Sequence, residues 1–218
     1  AAAGWAVAAG LTRPNGVLLA VPLAVVVAVR AWPALSRRHA WMAGPFGPSP
    51  GEARRPALAE LLMVAAPAIG LGIYATYIWR LTGDPLAWMR VQAGWGRGFD
   101  PLQALLPDPL LRLGLLRALR LSTFDTLNTL AGFFALVLAW PVARSYGLAF
   151  GLFVALNVLV PMLAGGPVSL GRFSSVLFPV FMYLADAVPD RHRSYWVAGF
   201  AMGQALVASM FFTWRPLF

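Results

Sequence analysis

Two arginines stand where a guanidinium could meet a phosphate. Arg172 lies in Ser169-Leu170-Gly171-Arg172-Phe173, directly before an apolar run, and Arg13 lies in Thr12-Arg13-Pro14-Asn15-Gly16, directly after one. A guanidinium pairs bidentately with phosphate oxygens, and an arginine at a membrane edge faces either a cavity or the headgroup layer. Phosphate binding and plain interfacial anchoring are therefore the two readings of both residues. Asn15 is expected to be a turn residue in the left-handed conformation, because Pro-Asn-Gly is strong turn chemistry.

A second group lies in residues 81–122, where Asp84, Asp100 and Asp108 occur with Arg90, Arg97, Arg112, Arg117 and Arg120. Each of these acids precedes a proline. Asp is a good N-cap and Pro suits the first helical position, so the acids read first as helix starts. Asp125, at the beginning of an apolar run, is either a cap or a cavity carboxylate. No motif names any of them as a general base. Gln92 and Trp95 have the chemistry to contact a sugar, by hydrogen bonding and by stacking on its apolar face, although an interfacial role is the commoner one for Trp.

The rest of the chain must position these groups, and its composition says how. Of 218 residues, 60% are hydrophobic and only 11% charged, against roughly 25% charged in a soluble domain. The expected fold is all-α, a polytopic bundle of transmembrane helices. All 17 basic residues are Arg and the net charge is +9, but the arginines are spread over the ends of apolar runs. Contact with anionic headgroups accounts for that better than nucleic acid does. There is no Cys, and His39 and His192 sit beside arginines in short polar connections. No metal site and no cofactor is expected from such a set. No P-loop, dinucleotide fingerprint or serine elbow occurs, and Gly94–Gly98 (GWGRG) lacks the preceding strand a phosphate loop needs.

About six spans of roughly 20 residues are expected, near 17–35, 57–81, 123–143, 146–164, 174–188 and 194–213, in a single membrane domain over 1–218. Residues 1–11 are apolar with no basic region before them, unlike a signal peptide. They are expected to be the back half of a helix that starts upstream of this sequence. The loop 36–56 carries Arg37, Arg38, His39, Arg54 and Arg55, which makes it the cytoplasmic side. Counting spans from there puts Thr12–Gly16, residues 81–122 and Gly165–Phe173 together on the opposite, non-cytoplasmic face. Residues 81–122 are expected to form two short interfacial helices joined at Gly94, Gly96 and Gly98, a lid or shelf over that face.

Three segments, LTRPNGVLLAVPLA, GDPLAWMRVQAGWGR and SLGRFSSVLFPVF, in this order and separated by apolar runs, resemble the PIG-V-type mannosyltransferases. These are the GPI mannosyltransferase 2-like enzymes of the GT-C superfamily, which add the second mannose in GPI anchor biosynthesis, together with bacterial relatives. The resemblance implies a GT-C-like bundle. It also implies inverting transfer of mannose from a polyprenyl- or dolichyl-phosphate-mannose donor to a glycolipid or other acceptor on the non-cytoplasmic face. It places Arg13 and Asn15 at the TR-x-NG position, Asp84 and Gln92 in the stretch from GDP to Gln, and Arg172 at the S-x-G-R position. The family's catalytic acid lies in the first outer loop, which is expected upstream of residue 1, so the resemblance assigns no general base here. The expected partners are the lipid-phosphate sugar donor, the acceptor and the bilayer, with a bacterial plasma membrane favoured over the endoplasmic reticulum. The alternative is a transporter or flippase-like bundle for a lipid-linked substrate, or a membrane subunit without chemistry. Transporters often carry paired broken helices in matching halves, and no such repeat is found.

Overall fold

The computed structural model describes residues 2–32, 40–47, 56–94, 123–165 and 170–213, with the backbone alone at 92–93, 123–126, 164–165 and 211. Among them every regular element is helical. The chain runs through α1 (Ala2–Thr12), a 3-10 segment (Pro14–Leu19), α2 (Ala20–Ala31) and two 3-10 turns (Ala40–Met42 and Gly44–Phe46). It continues through α3 (Leu58–Thr82), α4 (Ala87–Ala93), α5 (Thr123–Tyr146), α6 (Leu148–Gly165), α7 (Leu170–Ser174), α8 (Phe178–Ala187) and α9 (Asp190–Phe212).

Among the described residues, three helical stretches are long and apolar enough to cross a membrane: Pro14–Ala31, Leu58–Thr82 and Leu127–Tyr146. They fall on three of the spans expected from sequence. The region expected to span near 146–164 forms α6, with 18 residues. That near 174–188 is divided between the end of α7, a turn and the ten-residue α8. That near 194–213 lies within α9, a 23-residue helix whose first turn is the polar Asp190-Arg191-His192-Arg193.

Local chemistry sets the helix ends. Pro14 holds the preceding Arg13 in an extended conformation (φ −148°, ψ 140°), as the clash with a proline ring requires, and α1 stops there. α3 starts where the Glu60 carboxylate accepts the Ala57 N–H at 2.9 Å, a charge-assisted link from the third helical residue back to the cap. It ends at Gly83, whose φ of +73° is the left-handed turn that favours glycine. Between α5 and α6 the connection is a single residue, Gly147, at φ +103°.

Packing relies on small residues. α1 crosses α3 where Gly10 and Gly70 let the backbones touch: a Cβ at Gly10 would lie 2.0 Å from the Pro67 carbonyl oxygen, and one at Gly70 2.1 Å from that of Val7. Such contact is how apolar helices associate when no hydrophobic difference separates neighbour from lipid. α5 and α6 form the central pair, with Ala135, Ala139 and Val142 against Val154, Val158 and Met162, and Leu170, Leu177 and Val180 complete the core. α9 is exposed along most of its length. It meets the bundle through the Phe181–Phe200 ring pair at 6.2 Å and through Arg193, which donates to the Ala185 carbonyl at 3.1 Å.

The two ends of α5 define two faces. At its start Asn128 meets Gly171, and at its end Trp140, Arg144 and Tyr146 meet the loop 40–47. The sixteen residues from Asn128 to Arg144 amount to roughly 24 Å of helix, a little less than the hydrocarbon thickness of a bilayer.

Candidate functional site

At the Asn128 end of α5, α7 is locked in place by its own sequence, Leu170-Gly171-Arg172-Phe173-Ser174. Leu170 is fully buried against α5 and α6, and Gly132 leaves the room it needs, since a Cβ there would come within 2.8 Å of Leu170 Cδ1. The Gly171 N–H donates to Asn128 Oδ1 at 2.9 Å across 43 residues of sequence. Asn128 itself is only 7% exposed, so this acceptor is a fixed point on α5. At the other end of α7, Ser174 Oγ donates to the Gly171 carbonyl at 3.1 Å and Ser175 Oγ to that of Arg172 at 2.8 Å. The Gly171 carbonyl also accepts the Ser175 N–H at 3.2 Å, so the serine hydroxyls add to the bonds at this end of the helix.

With α7 fixed, Phe173 leans on the core and Arg172 is exposed, its guanidinium carbon 5.7 Å from the centre of the Phe173 ring. Arg13 arrives from the other side of the sequence. Its turn is held because Gly16 packs on α1, where a Cβ would lie 2.1 Å from the Ala9 carbonyl oxygen, and because the Gly16 N–H donates to the Arg13 carbonyl at 2.8 Å. The exposed Arg13 guanidinium carbon stands 6.0 Å from the centre of the same Phe173 ring. Each distance is within cation–π range. Two arginines 159 positions apart in sequence thus share one phenyl ring. They form a doubly cationic, partly apolar surface suited to the phosphate end of an amphiphile.

The other sequence-derived candidates fare differently. Asn15 is half-buried next to Arg13, but it lies inside the right-handed 3-10 segment Pro14–Leu19. The left-handed turn expected for it is therefore corrected. The three-residue period closes the turn over Gly16 without a positive φ.

Asp84 lies at the far end of α3. Its carboxylate is already engaged, Oδ1 accepting the Leu86 N–H at 3.0 Å and Oδ2 pairing with Arg90 Nε at 3.2 Å. That is the helix-starting role read from Asp-Pro, with α4 beginning at Ala87. α4 packs back on α3 through the Tyr74–Trp88 rings, 6.5 Å apart.

Trp95, Asp100, Asp108 and the second interfacial helix lie outside the described residues, as do the side chains of Gln92 and Asp125. Among the described residues no group of three or more His, Asp or Glu side chains could hold a metal ion.

Sequence reasoning missed Asn128 and Phe173. A lone Asn in an apolar helix is a signal, because a polar side chain there needs a partner. Phe173 looks like one more lipid-facing aromatic until two cations are found on it.

Fold and site together define a class: a helical protein with, among the described residues, three helices able to cross a membrane and a pair of arginines at one end of the bundle. Compared with protein-family models, with curated proteins and with solved structures, the chain matches none.

Proposed function

We propose that the chain is part of a multi-pass membrane glycosyltransferase of the PIG-V, GT-C type, and that Arg13 and Arg172 hold the phosphate of a lipid-linked mannose donor at the non-cytoplasmic face. The observation that carries this is the convergence of both guanidinium groups on Phe173. These two residues belong to separate segments of the family resemblance, and both guanidinium groups come within 6.0 Å of the centre of one phenyl ring. The choice of mannose and of a polyprenyl- or dolichyl-phosphate carrier rests on the resemblance.

In such a transfer the acceptor hydroxyl oxygen bonds to the anomeric carbon as the bond from that carbon to the phosphate oxygen breaks, inverting the centre. The electron pair leaves with the phosphate. Two guanidinium groups on that phosphate stabilise the charge that develops there, where preorganised donors act most strongly. The proton of the acceptor hydroxyl goes to a general base. Asp84, tied to Leu86 and Arg90, is not assigned that role. The resemblance assigns no general base among the residues of this sequence.

The test is sugar transfer in membranes carrying the full-length protein, with labelled polyprenyl-phosphate-mannose. Arg172→Ala and Arg13→Ala are each expected to lower transfer by a factor of about ten to a hundred, the worth of a charge-assisted contact. Unchanged transfer with Arg172→Ala would sink the phosphate role.

A further inference from the structure

The opposite end of α5 carries a second arginine site, built differently. Arg144 sits in the last turn of α5, exposed, with its guanidinium carbon 5.6 Å from the centre of the Trp41 ring and 5.7 Å from that of Trp140. The two indoles meet edge to face at 5.4 Å. Trp140 is on α5 itself, one turn before Arg144, whereas Trp41 is supplied by the loop 40–47. That loop is pinned to the α5–α6 junction by an interlock of two glycines at positive φ, Gly44 and Gly147. A Cβ on Gly44 would lie 2.0 Å from the Tyr146 carbonyl oxygen, and one on Gly147 3.0 Å from the Gly44 nitrogen. Phe46 packs on Phe150 at 5.4 Å, and Arg30 at the end of α2 donates to the Phe46 carbonyl at 3.4 Å. The Trp41 ring is thus held in place by backbone contact.

The nearby acids on described residues are committed elsewhere. Asp186 accepts the Tyr146 hydroxyl, Asp190 pairs with Arg193 at 3.0 Å, and Glu60 caps α3. This end therefore presents Arg144 beside two indoles, with Arg30 bonded to the same loop at Phe46, at the end of a helix apolar and long enough to span a bilayer. Trp prefers the headgroup level, with its ring toward the acyl chains. A guanidinium held over aromatic rings by cation–π attraction keeps its N–H donors for a phosphate.

The geometry points to an anionic phospholipid as the occupant of this site. Its phosphodiester is bound by Arg144, with Arg30 adding charge, and its glycerol and upper acyl carbons lie against Trp41 and Trp140. The site is independent of the proposed transferase activity, since it lies at the far end of α5 from Asn128 and Arg172.

The test uses the full-length protein, purified from membranes and reconstituted into nanodiscs of phosphatidylcholine containing a minor share of phosphatidylglycerol. Lipid that stays bound after release into detergent is counted by native mass spectrometry. The wild type is expected to retain phosphatidylglycerol in preference to phosphatidylcholine. Arg144→Gln is expected to lower the retained phosphatidylglycerol about tenfold, the scale of one charge-assisted contact. Arg144→Lys, which keeps the charge but loses the forked set of N–H donors, is expected to fall between them. Should Arg144→Gln fail to fold, Trp140→Leu carries the same test, with a smaller loss expected. No preference in the wild type, or equal retention by both variants, overturns the assignment. Displacement of the lipid by excess inorganic phosphate overturns it in favour of a free-anion site.

Discussion

Asn128 on α5 accepts the backbone N–H of Gly171 at 2.9 Å, and through that one bond a buried residue of a long apolar helix orients the five-residue helix bearing Arg172. Gly171 is suited to the contact because a Cβ there would lie 3.3 Å from the same Oδ1 atom. Much of the site's rigidity follows from this bond and from the burial of Leu170.

Asn128→Ala removes the acceptor and leaves the Gly171 N–H without it in a half-buried position. We expect a loss of about 1–3 kcal/mol in stability, read as a lower Tm in detergent, together with weaker donor binding. Asn128→Asp keeps an acceptor oxygen and is expected to recover most of the donor binding. Equal behaviour of the two variants would show that the bond does not position Arg172.

Arg13 and Arg172 are expected to act as a unit because they share Phe173. In a double-mutant cycle on transfer, Arg13→Ala and Arg172→Ala should be non-additive by at least about 0.5 kcal/mol. Strict additivity would mean that the two guanidinium groups serve different ligands.

Asp84→Asn keeps an oxygen for the Leu86 N–H and gives up the ion pair with Arg90, whose side chain is 76% exposed. Exposed pairs are worth about 0–1 kcal/mol, so stability and transfer should both stay close to wild type. Abolished transfer with an unchanged Tm would instead make Asp84 part of the chemistry.

Gly10→Ala places a methyl group 2.0 Å from a backbone oxygen of α3, and neither helix can yield by a side-chain rotation. Overpacking of this kind costs about 1–3 kcal/mol. The Tm should fall accordingly, and α1 should become the first element open to protease. Gly72, with nothing within 4 Å of a Cβ, is the control, and Gly72→Ala should leave the Tm unchanged or raise it.

The sequence by itself determined the all-helical character and the positions of three helices able to cross a membrane. It also determined the helix start at Asp84-Pro85, because apolar run length, Asp-Pro pairs and an arginine held extended by Pro14 act within a few residues of themselves. It named Arg13 and Arg172 for the same local reason: each stands at the edge of an apolar run. Only the tertiary structure decided that both meet Phe173, that Asn128 holds Gly171, and that Arg144 is flanked by Trp41 and Trp140. Those relationships depend on how closely helix backbones approach. That approach is set by glycines and alanines scattered through nearly uniform apolar sequence, where periodicity carries little trace of which face packs on which.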